Sequence, residues 1–423
     1  MKKLKHLSFI LIAGLLALGL FSPNVYAKGH TVMIGFTGPL SGPAAQYGRD
    51  NVNGLEMGIQ DINAAGGITV GGKNYKFALK TYDDHIDPTA AVNNARRLRS
   101  RDGARFIFNP VFNTIAPMMQ INQQKGSEFL MMAYTSAPEV DAMKNPNTIA
   151  IPPPFSVYVG SYVKYALEKG WKKCAMVVTL GAYGDGWRKE FESAWIKAGG
   201  EIVADQPANY YTETDFSAQL SAALAKKPDF MLIGGPSATT GLVIEQARNL
   251  GFKGEFFMVD QAKLNYIAEV NFNNDLTKMN GVTGTARPRD LAEEEVIEPF
   301  LKRCLKDYGR SATSENLLNY GAIRILAAAM EKAGTVEDIT AIKAAIPEVL
   351  PMDAKINLLP FIDLWGSRFI LPGTIQKIEN GQYTVPTTTF WWTKSDADFK
   401  KAVSSIPDIG NTNVNVPLEG YAK

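Results

Sequence analysis

Five short segments gather hydroxyl, amide, aromatic and carboxylate side chains: Asn109-Pro110-Val111-Phe112-Asn113-Thr114, Tyr134-Thr135-Ser136, Gly181-Ala182-Tyr183-Gly184-Asp185, Gly234-Gly235-Pro236-Ser237 and Asp260-Gln261. Such groups suit a small polar or zwitterionic ligand. Hydroxyls and backbone amides donate to its carboxylate, and a tyrosine covers its apolar part. Taken singly, each Ser, Thr, Asn or Asp reads equally as the cap of a following helix. Covalent chemistry has less support. Past residue 27 the only histidines are His30 and His85, so a catalytic histidine pair or a His-rich metal site has too few members. No HExxH, CxxC or GxSxG sequence occurs, and the glycine-rich stretches at Gly38 to Gly42 and Gly234 to Pro236 lack the Gly-Lys-Ser/Thr of a phosphate loop. The adjacent carboxylates Asp83 and Asp84 point to opposite sides of an extended chain, which makes a structural role the better reading. The expectation is a binding protein and not an enzyme, with no metal and no cofactor.

The elements that position these segments follow from periodicity. Thr31 to Phe36, Lys76 to Tyr82, Ala104 to Phe108, Phe129 to Ala133, Cys174 to Leu180, Asp229 to Ile233 and Glu255 to Val259 are short β-branched and aromatic runs that predict strands. Amphipathic stretches lie between them. Val52, Leu55, Ile59 and Ile62 form one apolar stripe ending at Gly66-Gly67, and Trp187, Phe191, Ala194, Trp195 and Ala198 form another ending at Gly199-Gly200. Asp87 before Pro88 predicts a helix N-cap with proline at the first helical position. Strand and helix alternating over this length predict parallel βαβ units in open α/β sheets flanked by helices. Ligands of such sheets bind beyond the carboxyl ends of the strands, where the five segments lie.

The chain of 423 residues exceeds what one hydrophobic core usually organises, so two lobes are expected, and 46% apolar residues can fill both. The run Pro152-Pro153-Pro154 cannot be helical and is the candidate first crossing between them. At the start, Lys2, Lys3 and Lys5 precede an apolar run from Leu7 to Phe21 and then Val25-Tyr26-Ala27. This pattern predicts a cleaved signal peptide over residues 1–27 and a periplasmic protein. Losing three lysines takes 44 basic residues against 42 acidic to 41 against 42, and that balance argues against nucleic acid or anionic lipid as partners. Cys174 and Cys304 are expected to be buried free thiols.

Several blocks resemble one family. Ile34-Gly35, Gly38 to Gly42, Ala45-Gln46-Tyr47-Gly48 and Asp61-Ile62-Asn63-Ala64-Ala65-Gly66-Gly67-Ile68 resemble the opening of the leucine/isoleucine/valine-binding proteins of ABC importers. The likeness continues through Tyr82-Asp83-Asp84, Asp87-Pro88, Ser136-Ala137-Pro138-Glu139 and Tyr183-Gly184-Asp185-Gly186, to about residue 330. The resemblance implies a two-lobed type I periplasmic binding protein fold with three interlobe crossings. Lobe 1 takes residues 28–154 and 284–368, and lobe 2 takes 155–283 and 369–423. It further implies hinge closure over the ligand and delivery to an ABC permease in the inner membrane, with the receptor a monomer. Carried over by residue, it makes Tyr47 an aromatic wall, Asn113, Tyr134, Thr135 and Ser136 the carboxylate loops, Tyr183 the opposing tyrosine and Asp260 the partner of a ligand ammonium. Phe155, or a close neighbour in Pro154-Phe155-Ser156, stands where the family places a second acid for the ammonium, so one charge partner is lost, and with Tyr47 and Tyr183 it is expected to sandwich the ligand side chain. Ile86 and Phe112 stand where some members carry a disulfide. The implied ligand is a branched-chain amino acid or similar small carboxylate. An aromatic acid, or a sensing role beside a membrane receptor, is the alternative. The segment from about Leu359 onward, with Trp365, Trp391 and Trp392, matches poorly and is expected to supply the final crossing and an outer layer of the second lobe.

Overall fold

The computed structural model describes residues 30–352 and 354–421. The expected signal peptide lies outside the described residues. The strands, in chain order, are β1 (His30–Gly38), β2 (Ile68–Val70), β3 (Lys73–Asp83), β4 (Phe106–Asn109), β5 (Leu130–Ala133), β6 (Thr148–Ala150), β7 (Lys173–Val178), β8 (Glu201–Asp205), β9 (Phe230–Gly234), β10 (Glu255–Met258), β11 (Val282–Thr285), β12 (Asp363–Trp365), β13 (Arg368–Ile370), β14 (Gly373–Glu379), β15 (Gln382–Tyr383), β16 (Thr387–Phe390) and β17 (Thr412–Asn415).

They form two sheets. The first runs β12-β13-β6-β5-β4-β1-β3-β2 and the second β17-β16-β14-β11-β10-β9-β7-β8, with β15 beside β14. Around β1 and around β7 the pairing is parallel, while β2, β12 and β14 join antiparallel. The central strands β4, β5 and β9 are buried at every position, as expected of parallel strands covered on both faces. All seven predicted strand segments are strands.

The helices cover the sheets as the stripes require. Helix Ala45–Ala64 buries Val52, Leu55, Ile59 and Ile62, and helix Ala182–Lys197 buries Trp187, Phe191 and Trp195. Asp87 caps helix Pro88–Ser100 by accepting from the Ala90 amide at 2.6 Å. Helix Ser314–Ala333 packs along helix Ala45–Ala64 so closely that a Cβ on Gly54 would stand 2.4 Å from the Asn316 carbonyl oxygen. The sequence therefore needs glycine there for contact, against its helix propensity. Cys174 and Cys304 are buried and free, in separate hydrophobic cores.

Three connections pass between the sheets: after β6, after β11 and between β13 and β14. Arg368, wholly buried on β13, ties two of these regions together. It donates to the carbonyls of Thr135 (3.2 Å), Ala137 (2.9 Å) and Pro152 (2.7 Å), and pairs with Asp141 at 2.7 Å. The last segment differs from expectation. Beyond Ile370 it forms no outer layer but extends the second sheet itself by β14, β15, β16 and β17. Its tryptophans Trp391 and Trp392 fill a small separate core with Val157, Ile370 and Phe390. No helix among the described residues is long and apolar enough to cross a membrane.

Candidate functional site

The carboxyl ends of both sheets face one cleft. From the first sheet come the segments after β1, β4 and β5, and from the second those after β7 and β10. Side chains meet across the gap: Ser136 Oγ donates to Asp260 Oδ1 at 2.9 Å, and the Ala182 amide donates to Asn113 Oδ1 at 3.1 Å.

Each wall is held from behind. Asn109, at the end of β4, accepts from the Val111 amide (2.9 Å) and from Thr114 Oγ1 (2.8 Å) and donates to Asp84 (3.1 Å), which locks the turn carrying Phe112 and Asn113. The Tyr47 hydroxyl donates to the Pro110 carbonyl at 3.0 Å. On the opposite side, Tyr162 stacks on Phe257 with ring centres 4.5 Å apart and donates to the Met258 carbonyl at 2.8 Å, fixing the end of β10 just before Asp260.

Asp260 is the hub. Its Oδ1 accepts from Ser136, from the Tyr183 hydroxyl and from Trp187 Nε1 at 3.0 Å. Three neutral donors thus converge on one carboxylate oxygen. Lys263 Nζ donates to the Asp260 main-chain carbonyl, but its charge is engaged elsewhere, by Glu315 Oε1 at 2.8 Å. Lys263 and Glu315 side chains are 5% and 1% exposed, so the pair neutralises itself out of water. Among the described residues, Asp260 has no cationic side chain paired to its carboxylate. Gln261 Oε1 beside it is a buried acceptor without a hydrogen-bond partner. Burial pushes the hydroxyls of Tyr47, Tyr134 and Tyr183 well above the usual tyrosine range, helped by the negative charge of Asp260 and, for Tyr47 and Tyr134, of Glu315, so they remain protonated donors.

The structure thus gathers Tyr47, Tyr134, Thr135, Ser136, Tyr183 and Asp260 around a cavity of about 20 Å³. Asn113 does not line this cavity; its side-chain oxygen accepts from the Ala182 amide of the opposite lobe. Phe155 does not line this cavity: its buried ring lies 5.1 Å from the Trp187 ring and 6.2 Å from that of Tyr183, centre to centre. Sequence reasoning did not find Tyr211, Lys263 and Glu315. Lys263 follows the Asp260-Gln261 exit by two residues and was within reach of that reading. Glu315, second residue of a helix with a Thr313–Asn316 capping box, looks like an ordinary acidic first turn. No cluster of three or more His, Cys, Asp or Glu side chains is placed to hold a metal among the described residues.

Asp83 and Asp84 make no acid-base pair. Asp83 accepts from the Leu40 and His85 amides, whereas the inaccessible Asp84 accepts from Thr37, Asn109 and the Ile86 amide. Burial raises Asp84 to about 6 from an ordinary 3.8, against those three donors. The native state therefore holds this proton more tightly than the unfolded chain. Its stabilising contribution is complete below pH of about 4 and is lost as pH rises through about 6. Relative to Asp84→Asn, the wild type should lose stability across that window, by at most about 1.4 kcal/mol per pH unit. Urea unfolding of both proteins at several pH values checks this, and parallel curves would remove Asp84 as the cause.

A family model described as periplasmic binding protein matches residues 31–379. A Leu/Ile/Val-binding protein of Rhizobium johnstonii is 28% identical over 352 residues, 82% of this chain and 89% of that protein. Among solved structures, the branched-chain amino acid transporter substrate-binding protein of Streptococcus pneumoniae, in complex with isoleucine, superposes with a TM-score of 0.68 at 19% identity. It covers 85% of this chain and 99% of its own. A solute-binding protein of an ABC transporter from R. palustris, in complex with benzoate, gives a TM-score of 0.70 at 16% identity, over 84% and 95%. The match over residues 31–379 and the shared arrangement of two mostly parallel sheets place the chain in the periplasmic binding protein family, with its type I fold.

Proposed function

We propose that the protein is the periplasmic capture component of an ABC importer, taking a branched-chain amino acid or a chemically similar small carboxylate into the interlobe cleft. The observation that carries the ligand class is the state of Asp260. Its carboxylate accepts from three neutral donors, has no cationic side chain paired to it among the described residues, and is followed in the chain by Gln261, whose buried side-chain oxygen has no hydrogen-bond partner. A ligand ammonium satisfies both. The ligand carboxylate lies against Thr135 and the amides that open helix Phe112–Met119, while Ser136, whose hydroxyl donates to Asp260, holds the Asp260 carboxylate in place. Tyr47, Tyr134 and Tyr183 enclose the apolar part, with Phe155 as backing and Asn113 as a clasp between lobes.

In this reading the lobes are residues up to the Pro152–Pro154 run with the return through β12 and β13, and the segment from Phe155 through β11 with β14 to β17. The three crossings are the hinge, and the cycle is closure, docking on an inner-membrane permease and release, with no covalent step. The receptor is a monomer, exported by a signal peptide cleaved after Ala27.

Thermal unfolding against a panel of amino acids, aromatic acids and amides tests this directly. A ligand at 100 times its Kd that binds only the folded form adds about 2.7 kcal/mol. Stabilisation by leucine, isoleucine or valine is expected. A panel in which no amino acid shifts the transition would end the reading of Asp260.

A further inference from the structure

We infer that the ligand's side chain extends past Tyr134 and Lys263 into a second, apolar compartment, so that the preferred substrates are amino acids with side chains longer or bulkier than those of leucine, isoleucine and valine. This rests on the reading of Asp260 as the ammonium partner. The compartment holds about 190 Å³ against about 20 Å³ beside Ser136, and Tyr134, Pro152, Asp260 and Lys263 line both. A single water needs roughly 10–15 Å³ and an apolar cavity of about 150 Å³ takes benzene. The second compartment therefore has room for a ring or a six-carbon chain, about ten times the space beside Ser136, where only the polar head of a ligand would be held.

The far walls are Leu291, Leu318, Leu359, Leu371 and Ile406. The acids facing the compartment are Asp260, Glu293 and Asp408, while Lys263 is neutralised by Glu315. An apolar body with a cation at its Asp260 end matches this lining, and a second anionic group at the far end does not. Part of the outer wall, including Thr388 and Ile406 to Ile409, comes from the segment beyond residue 379, where the family match stops. The extra strands that lengthen the second sheet thus also build the compartment.

A homologous series decides the matter: norvaline, norleucine and 2-aminooctanoate, with leucine and phenylalanine, measured by calorimetry on the full mature chain. Affinity is expected to rise about fourfold for each methylene placed in the compartment. In Ala292→Trp, which fills it, the rise should stop after norleucine, and Ala292→Leu, a milder filling, should blunt it partway. If affinity is flat or falls beyond leucine in the wild type, or if the two variants leave the slope intact, the side chain goes elsewhere and the inference fails while the cleft reading stands. If no amino acid binds at all, the Asp260 reading fails and this inference with it.

Discussion

Replacing Lys263 with methionine should lower the population of the closed form by about two to four orders of magnitude. The side chain leaves the second lobe at the start of helix Leu264–Phe272 and meets Glu315 on helix Ser314–Ala333, which packs against the first lobe at helix Ala45–Ala64. Both groups are nearly inaccessible, so removing the ammonium strands a carboxylate out of water, at a cost of about 3–5 kcal/mol. In an opened cleft Glu315 regains hydration, so the cost falls on closure. Small-angle scattering with and without ligand, together with binding calorimetry, reads the effect. The double variant Lys263→Met with Glu315→Met should recover most of the loss, because an apolar pair of similar volume replaces a buried ion pair at little net cost. Equal behaviour of the single and double variants would mean that the pair does not hold the lobes together.

Asp260→Asn should weaken amino acid binding by about 30- to 1,000-fold, the 2–4 kcal/mol that accompanies loss of one partner of a buried charged contact. The amide oxygen can still accept from Ser136, Tyr183 and Trp187, so the local packing survives and the effect isolates the charge. Binding of an aromatic acid that lacks an ammonium should change by less than about threefold. Calorimetry on both ligands, with thermal unfolding to confirm an intact fold, separates the roles. Equal losses for the two would dissolve the assignment of Asp260 to the ammonium and of the Thr135–Ser136 loop to the carboxylate.

The two results bear on one balance. Lys263 could have served as the counter-ion of Asp260, leaving no task for a ligand cation. It is Glu315, far away in the chain, that pairs with Lys263, so that among the described residues no cationic side chain pairs with the Asp260 carboxylate. A single long-range contact thus sets the polarity of the cleft.

Much of the site was legible because its signals are local. Strand runs of period two, helix stripes of period 3.6 and the polar residues at each strand exit are written within windows of ten or so residues, and parallel topology then requires those exits to converge. Tyr134, Thr135, Ser136, Tyr183 and Asp260 meet for that reason. What local pattern cannot hold is partnership between distant segments. Phe155 is placed near the site by position in the chain, yet its buried ring packs against that of Trp187 and does not line the cavity beside Ser136. Residues 373–415 carry short threonine-rich runs with no strong periodicity, and their pairing onto β11 depends on backbone register across far-separated parts of the chain. The class of fold and the chemistry at the strand ends are therefore properties of residue order. The clasp of Lys263 on Glu315, the charge left on Asp260 and the apolar room behind it exist only once the two sheets face each other, because burial and ion pairing are set by what a side chain meets in space.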